Sequence, residues 1–363
     1  ALSMMFVASA SAGVTTAGSG ASAVAGNALA MVGVGAVYTE TNNVTDNRII
    51  RFERSADGSL SMSGSFSTNG LGTGVSLGNQ GGVILTDDGK NLLAVDAGSN
   101  EISVFQVKFN GLKLTDKVSS GGLMPISLTA KDDLVYVVNA GGNGNIAGFH
   151  LDDGKLSMIS NSIRPLSSNS SGPAEISFNP DGDVLVVTEK STNMIDTFTV
   201  DDDGIAHGPI IHASNGATPF GFAFDKRGRL IVSEAIASAL SSYAVDDNGN
   251  LKTISSSVND TQGAACWVVV TKNGKFTYTN NAHSGTISSY KISKTGMLSL
   301  LDPIAGTPGA GNIDLALSKN SKFLYSLNSG PNTIAGFRVN MDGSLTPVGT
   351  VSVPAGADGL AAR

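Results

Sequence analysis

The sequence predicts an all-β, seven-bladed β-propeller of four-stranded blades, on two observations. A segment of about 47 residues recurs along the chain, and one copy is divided between its two ends. Each copy reads as an apolar strand, a DG-like turn, a second apolar strand ending in Asn, Asp or Glu, a short polar loop, a strand carrying an aromatic residue, and another DG-like turn. The clearest copy begins at Gly172-Pro173-Ala174-Glu175-Ile176-Ser177-Phe178-Asn179-Pro180-Asp181-Gly182, continues through Val184 to Glu189, and closes with Ile195 to Val200 and Asp203-Gly204.

The third-strand aromatics are Phe52, Phe105, Phe149, Phe198, Tyr243, Tyr290 and Phe337, spaced by 53, 44, 49, 45, 47 and 47 residues. First-hairpin turns fall at sites such as Asp88-Gly89, Asp181-Gly182 and Asn273-Gly274, and second-hairpin turns at Asp57-Gly58, Asp203-Gly204 and Asp342-Gly343. Gly and Asn tolerate the positive φ of tight hairpins, so these positions punctuate strands for a physical reason. Six blades are complete. In the seventh, Ala36 to Leu60 supplies three strands, and Pro354 to Arg363 has room for one. Pairing them closes the ring and removes two exposed sheet edges.

The uninterrupted repeat argues for one large domain, residues 34–363, within the 363-residue chain. The 45 glycines and 6% aromatics suit short strands and turns, and no long stretch has helical periodicity. A net charge of −7 excludes a nucleic-acid partner, which needs clustered Lys and Arg. The single cysteine, Cys266, excludes an intramolecular disulfide framework. No segment reaches the 18 apolar residues of a membrane-spanning helix. Residues 1–12 hold a short apolar run, Leu2 to Ala8, before the small-residue sequence Ser9-Ala10-Ser11-Ala12. This reads as the remnant of a secretory signal, followed by a flexible Gly/Ala/Ser spacer over 13–33, and an extracellular location is expected. Sequons stand at Asn43, Asn169 and Asn259.

In a propeller the first strand of each blade lines the channel, and ligands commonly bind on the face that carries the blade-joining loops. Candidate positions are therefore the starts of the first strands, which include Gln80, Glu175 and Trp267, and the ends of the second strands. The latter form a ring of Asp96, Asn139, Glu189, Glu234, Asn280 and Asn328, with Glu40 or Asn42 in the divided blade. Crowded carboxylates raise one another's pKa or invite a cation. An oxygen-only set suits Ca²⁺ or Mg²⁺, although no metal ligand is assigned. The alternative is that each of these side chains caps a turn. His283 is the one histidine expected near the channel mouth. Trp267 is a stacking platform or core, and Cys266 is packing rather than a nucleophile.

The pattern Gly172-Pro173-x-x-Ile-Ser-Phe-x-Pro-Asp-Gly, followed by Val-Val-Thr-Glu189, resembles the seven-bladed lactonase family, which includes 6-phosphogluconolactonase and carboxymuconate lactonizing enzymes. The resemblance spans Val34 to Arg363. Leu71-Gly72-Thr73-Gly74, Gly78-Asn79-Gln80-Gly81, Thr218-Pro219-Phe220-Gly221-Phe222 and Ala265-Cys266-Trp267-Val268 are similar to a secreted branch of that family, often labelled carboxymuconate-cyclase-like. It implies a small-molecule ligand at the central funnel. Family enzymes carry Pro-Arg-His after the opening Gly; here Ala174 replaces Arg and Glu175 replaces His, while the Glu of the next strand is kept as Glu189. Without the Arg, an anionic lactone is disfavoured unless Lys190 or Arg164 substitutes.

The expected function is lactone hydrolysis or cyclisation on a neutral substrate. Glu189 would act as base and Glu175 or Glu234 as acid, while Gln80, Asn139 and Asn280 would orient the carbonyl. Lys190, Trp267 and His283 complete the candidate substrate-binding set. The alternative is a non-catalytic secreted ligand-binding or cell-surface interaction propeller.

Overall fold

The computed structural model describes residues 34–363, so the signal-like segment and spacer at residues 1–33 lie outside the described residues. Seven antiparallel sheets stand around one axis. Their innermost strands are, in ring order, Asp358–Ala362 (blade 1), Val83–Leu85, Pro125–Lys131, Pro173–Phe178, Pro219–Phe224, Ala265–Val270 and Asn312–Leu317 (blade 7).

Blade 1 is the divided one. Its inner strand Asp358–Ala362 pairs with Gly35–Glu40, which is followed outward by Arg48–Arg54 and Leu60–Ser67. Thr39 Oγ1 adds a hydrogen bond to the Asp358 carbonyl at 3.0 Å. The two ends of the described chain thus share one sheet, as expected from the repeat.

All seven third-strand aromatics are buried, from 0 to 3% exposed, and fill the space between neighbouring blades. A second repeated device links blades through buried tyrosines. The hydroxyls of Tyr136, Tyr278 and Tyr325 donate to the carbonyls of Gly204, Gly343 and Gly58, each in the second-hairpin turn of the following blade, at 2.7–2.8 Å. Those glycines have φ of 76°, 90° and 96°. A side chain there would be strained by the left-handed backbone as well as crowded by the neighbouring blade.

Two irregularities bear on the site. The outer strand of blade 3 is broken into Lys155–Met158 and Arg164–Pro165, both pairing with Asn145–Asp152, and Ser162 Oγ serves the Gly148 amide and carbonyl in the gap. The inner strand of blade 2 has only three residues, Val83–Leu85, whereas those of blades 3 to 7 have six or seven. The segment preceding it leaves the wall and enters the channel.

Candidate functional site

Six inner strands shift register by one residue near their start, as at Pro173/Glu175, Pro219/Phe222, Ala265/Trp267 and Asn312/Asp314. A β-bulge leaves a local amide without its ladder partner and turns a side chain. Here the residue just past the bulge reaches sideways to a backbone amide of the next blade. Ser127 Oγ accepts the Ile176 N–H at 3.1 Å, Glu175 Oε2 accepts the Phe222 N–H at 2.6 Å, and Asp314 accepts from the Leu360 backbone. Glu175 is thereby placed on the channel wall, as the sequence suggested, with one oxygen committed to its neighbour.

At the corresponding place in blade 5 stands Gly221, which has no side chain to offer. The amide it would serve, Val268 N–H, is instead taken by Gln80 Oε1 at 2.9 Å, and Gln80 Nε2 donates to the carbonyls of Val268 at 2.9 Å and Phe222 at 3.3 Å. Gln80 belongs to the segment Leu77–Gly82, which crosses the channel as a plug. Its backbone N–H bonds Ala174 O at 3.1 Å, Leu77 N–H bonds Asp358 Oδ2 at 2.9 Å, and Asn79 Nδ2 donates to Ile126 O. Trp267 Nε1 holds the Asn79 carbonyl at 2.6 Å, and Gly81 O receives the Leu128 N–H at 2.9 Å. The plug is thus tied to five other blades. A Cβ added to Gly221 would sit on Gln80 Oε1 and 2.7 Å from the Cys266 carbonyl, so glycine is required for this crossing.

Below the plug lies a cavity of about 620 Å³ that opens on the face of the first-hairpin turns. Gln80 and Glu175 stand at its inner end. Phe178, Phe222, Phe224 and Leu317 supply apolar wall, and Asn179 and Lys131 lie toward the opening. The expected position was the opposite face, where the blade-joining loops lie; on that side Leu77–Gly82 occupies the channel. Lys131 is the only basic residue of the lining, and its Nζ is 4.0 Å from Asp87.

Burial pushes the Glu175 carboxyl well above the usual carboxylate range, and the charge of Asp314 adds to the shift. Asp314, itself fully buried, is raised in the same way. Burial therefore favours the protonated form of Glu175, which can donate a hydrogen bond into the cavity.

The ring of second-strand ends has a different role. Glu189 is fully buried and accepts from Ser167 N–H at 3.0 Å, from Ser167 Oγ, and from Thr192 Oγ1 at 2.5 Å. Ser167 N–H also bonds Asp196 Oδ2 at 2.8 Å, and burial together with the adjacent Glu189 pushes Asp196 up to about 8. Glu234 accepts from Gly216 N–H at 2.8 Å, Ser241 Oγ at 2.5 Å and Ser257 Oγ at 2.6 Å. Asp96 accepts from Thr68 Oγ1 at 2.6 Å and Ser103 Oγ at 2.5 Å. In each case the carboxylate clamps the loop arriving from the preceding blade, so Glu189 and Glu234 sit in blade joints outside the cavity lining.

Asn139 likewise bonds Ser120 O at 3.2 Å and Asn145 Oδ1 at 2.8 Å. The residue closing the second strand of blade 6 is Asn281, not Asn280. Asn281 pairs with Ala265 and bonds Thr286 and Ser288, whereas Asn280 points to the next blade, donating to Asp314 O at 3.0 Å and Ser326 Oγ at 3.3 Å. His283 is exposed on its loop, and its ring makes no hydrogen bond to a described residue. Arg164 lies on the outer strand of blade 3, where it caps Asn161 O and Ile163 O, so it cannot stand in for the missing channel Arg. Trp267 is buried against Phe220, edge to face with centroids 5.0 Å apart, and serves the plug rather than offering a free stacking face.

Lys190 stands on the other side of the plug, its Nζ bonded to Gly78 O and 5.0 Å from the centre of the Phe220 ring. Asp358, which the sequence reading did not single out, is fully buried nearby. It accepts Leu77 N–H and Gly359 N–H, and burial pushes it up to about 6. Among the described residues no group of three or more His, Cys, Asp or Glu side chains is arranged to hold a metal ion, and no helix is long and apolar enough to cross a membrane.

These raised carboxyls predict a pH dependence. Glu40, Glu175, Asp196, Asp314 and Asp358 all have folded pKa values above the ordinary carboxylate range. At these five groups the folded chain therefore holds more protons than the unfolded chain above pH ~4. The stability this gives is complete below the unfolded pKa and is lost as pH rises through about 6 for Asp358 and about 8 for Asp196. Urea midpoints measured at pH 5, 7 and 9 should fall in that order; a rising series would contradict the assignment of these groups as protonated.

A closed ring of seven four-stranded blades around a channel cavity defines the class: a seven-bladed β-propeller. The chain belongs to the lactonase family of seven-bladed β-propellers, whose family model matches residues 37–165, 143–259, 232–314 and 269–356. Among solved structures it is similar to a putative 6-phosphogluconolactonase from Bacteroides uniformis, with 19% identity over 92% of this chain and 100% of that one and a TM-score of 0.73. The corresponding figures for a putative 6-phosphogluconolactonase from Bacteroides fragilis are 17%, 91%, 98% and 0.71. For the periplasmic gluconolactonase of Pseudomonas aeruginosa they are 14%, 90%, 97% and 0.69. At these identities the likeness establishes the fold. No curated protein matches the chain.

Proposed function

We propose that this protein is a lactonase-like propeller that opens or closes the ring of a small neutral lactone in the channel cavity, with Glu175 as the acid. The observation that carries this reading is the Glu175 carboxyl itself: buried, its pKa raised by that burial, fixed by the Phe222 amide through one oxygen, and part of the cavity wall. A neutral carboxyl can donate to a lactone carbonyl while water adds to the acyl carbon. The ring C–O bond then breaks, the ring oxygen takes a proton, and a hydroxy acid results; the reverse sequence is the cyclisation. Family membership supports the reaction class, and the absence of any guanidinium from the lining supports a neutral substrate.

A second reading, ligand binding without turnover, is favoured by the burial of Glu189 in a blade joint, which removes from the cavity the base that the sequence paired with Glu175. Secretion is part of the proposal and rests on the sequence of residues 2–12 alone. Acid release from a panel of neutral and anionic lactones separates these readings. Turnover confined to neutral lactones is expected. Saturable binding without acid release would select the second reading, and preference for phosphorylated or carboxylated lactones would overturn the neutral-substrate assignment.

A further inference from the structure

A second cavity opens on the face of the first-hairpin turns, where blades 6, 7 and 1 meet, and it shares no lining residue with the channel cavity. It holds about 670 Å³, and its polar side chains are Arg54, Lys272, Lys319, Asn320 and Arg363, with no acid among them. Arg54 ends the third strand of blade 1 and is only 5% exposed. Its guanidinium lies over the Phe323 ring, 5.3 Å from the centroid, and a Cβ on the neighbouring Gly35 would collide with it. Nη1 and Nη2 reach only the carbonyls of Ser55, Val34 and Arg363, at 3.3–3.5 Å, and Nε has no hydrogen-bond partner. Lys272 and Lys319 are exposed in the first-hairpin turns of blades 6 and 7, which the Lys272 N–H joins by bonding Ser321 Oγ at 2.9 Å. Lys319 Nζ uses one of its three N–H groups on the Asp87 carbonyl, at 3.1 Å. Asn320 Oδ1 accepts from Ser318 Oγ and from Lys322 N–H, both at 3.0 Å, and its Nδ2 bonds no described residue. No Asp or Glu among the described residues forms an ion pair with Arg54, Lys272 or Lys319.

We propose that this cavity binds a small dianion, a phosphate or a dicarboxylate, at a site separate from the channel cavity. A buried guanidinium with no Asp or Glu partner is poorly compensated, and an anion in the cavity beside it supplies the missing charge. Lys272 and Lys319 add charge from their exposed turns, and Asn320 Nδ2 adds a neutral donor, so the side chains that meet here offer donors. The surroundings favour the same sign of ligand. Lys226-Arg227 occupy the corresponding turn of blade 5, whose Asp225 is paired with Arg229, whereas Asp87-Asp88, Asp132-Asp133 and Asp181 stand in the turns of blades 2, 3 and 4. Lys90 and Lys131 on that acidic side face Asp88 and Asp87. In a chain of net charge −7, the unpaired cations of these turns are thus gathered on the side that holds the cavity, and their field steers anions toward it. Several cations with no acid in the lining favour a dianion over a monoanion such as acetate.

The test is isothermal titration calorimetry of the full chain with inorganic phosphate and with malonate, at neutral pH and one fixed ionic strength, because salt screens exposed charges. Saturable binding with Kd below about 1 mM is expected for at least one of the two, with acetate about tenfold weaker or more. The double variant Lys272→Gln/Lys319→Gln alters only exposed side chains and is expected to weaken that binding by about tenfold. Lys226→Gln/Arg227→Gln removes as much charge from the same face outside the lining, and is expected to leave Kd within about twofold. Arg54→Gln, with its folding checked by melting, should lose the site. Absence of saturable binding for both dianions, equal losses in the two double variants, or acetate binding as tightly as the dianions would overturn the proposal. Calorimetry with these anions does not read ring opening, and the lining is not that of the channel cavity, so the outcome is independent of the lactone assignment.

Discussion

Removal of Ala355–Arg363 is expected to abolish cooperative folding or to lower Tm by at least about 10 °C. The deleted residues include the whole inner strand of blade 1, Asp358–Ala362, against which Gly35–Glu40 pairs. Leu360 and Ala361 are buried, and loss of a buried leucine side chain alone costs about 2–5 kcal/mol. Asp358 also anchors Leu77 of the plug, so the deletion loosens the channel as well as the ring. At about 2–4 °C per kcal/mol for a domain of this general size, a double-digit shift follows from the strand before the exposed edges are counted. Thermal unfolding by circular dichroism measures it. An unchanged melting curve would mean that the N- and C-terminal strands do not close the ring.

Gly221→Ala is expected to destabilise the protein by on the order of 3 kcal/mol, a large effect for one methyl group. The added Cβ meets Gln80 Oε1 and the Cys266 carbonyl, neither of which can retreat without breaking other bonds. Displacing Gln80 leaves the Val268 N–H and two carbonyls unserved inside the channel. Urea unfolding gives the stability change directly. Gln80→Ala in the wild-type background should cost a similar amount, and the double variant distinctly less than the sum of the two, because both remove the same interlock. Additive effects would show that Gly221 and Gln80 are independent, and the plug would then rest on its backbone bonds.

The ring of blades was legible because turn chemistry and aromatic spacing repeat with the strand period, and neither depends on distant contacts. Phe105 and Phe337 mark third strands in the structure as they do in the sequence. Asn281 could have been found by the same rule. Counting seven residues on from the turn glycine leads from Gly182 to Glu189 and from Gly89 to Asp96, and from Gly274 it leads to Asn281 rather than Asn280.

The candidate site was only partly legible. Glu175 stands on an inner strand as expected, whereas Gln80, expected to start one, lies in the plug ahead of Val83–Leu85; the bulges that turn Glu175 toward Phe222 depend on the backbone pairing of two blades and leave no local mark. The plug did leave one. The interval of 53 residues from Phe52 to Phe105 is the longest of the series, and the excess ends in the glycine-flanked Gly78-Asn79-Gln80-Gly81-Gly82. Glu189 misled for a physical reason: a carboxylate at a strand end has the same sequence signature whether it faces the channel or grips the loop of the preceding blade. Ser167 and Asp196 decide between the two, and they are joined to it only by the fold.

The most direct measurement is acid release from a neutral lactone by wild-type protein, Glu175→Gln and Glu189→Gln side by side, with each variant's folding verified by its melting curve. If Glu175 is the cavity acid, its isosteric replacement keeps the hydrogen bond from Phe222 and lowers kcat by about a hundredfold, while folded Glu189→Gln keeps near-normal kcat. Full activity in Glu175→Gln, or a loss confined to Glu189→Gln, would place the chemistry outside the cavity and contradict the assignment.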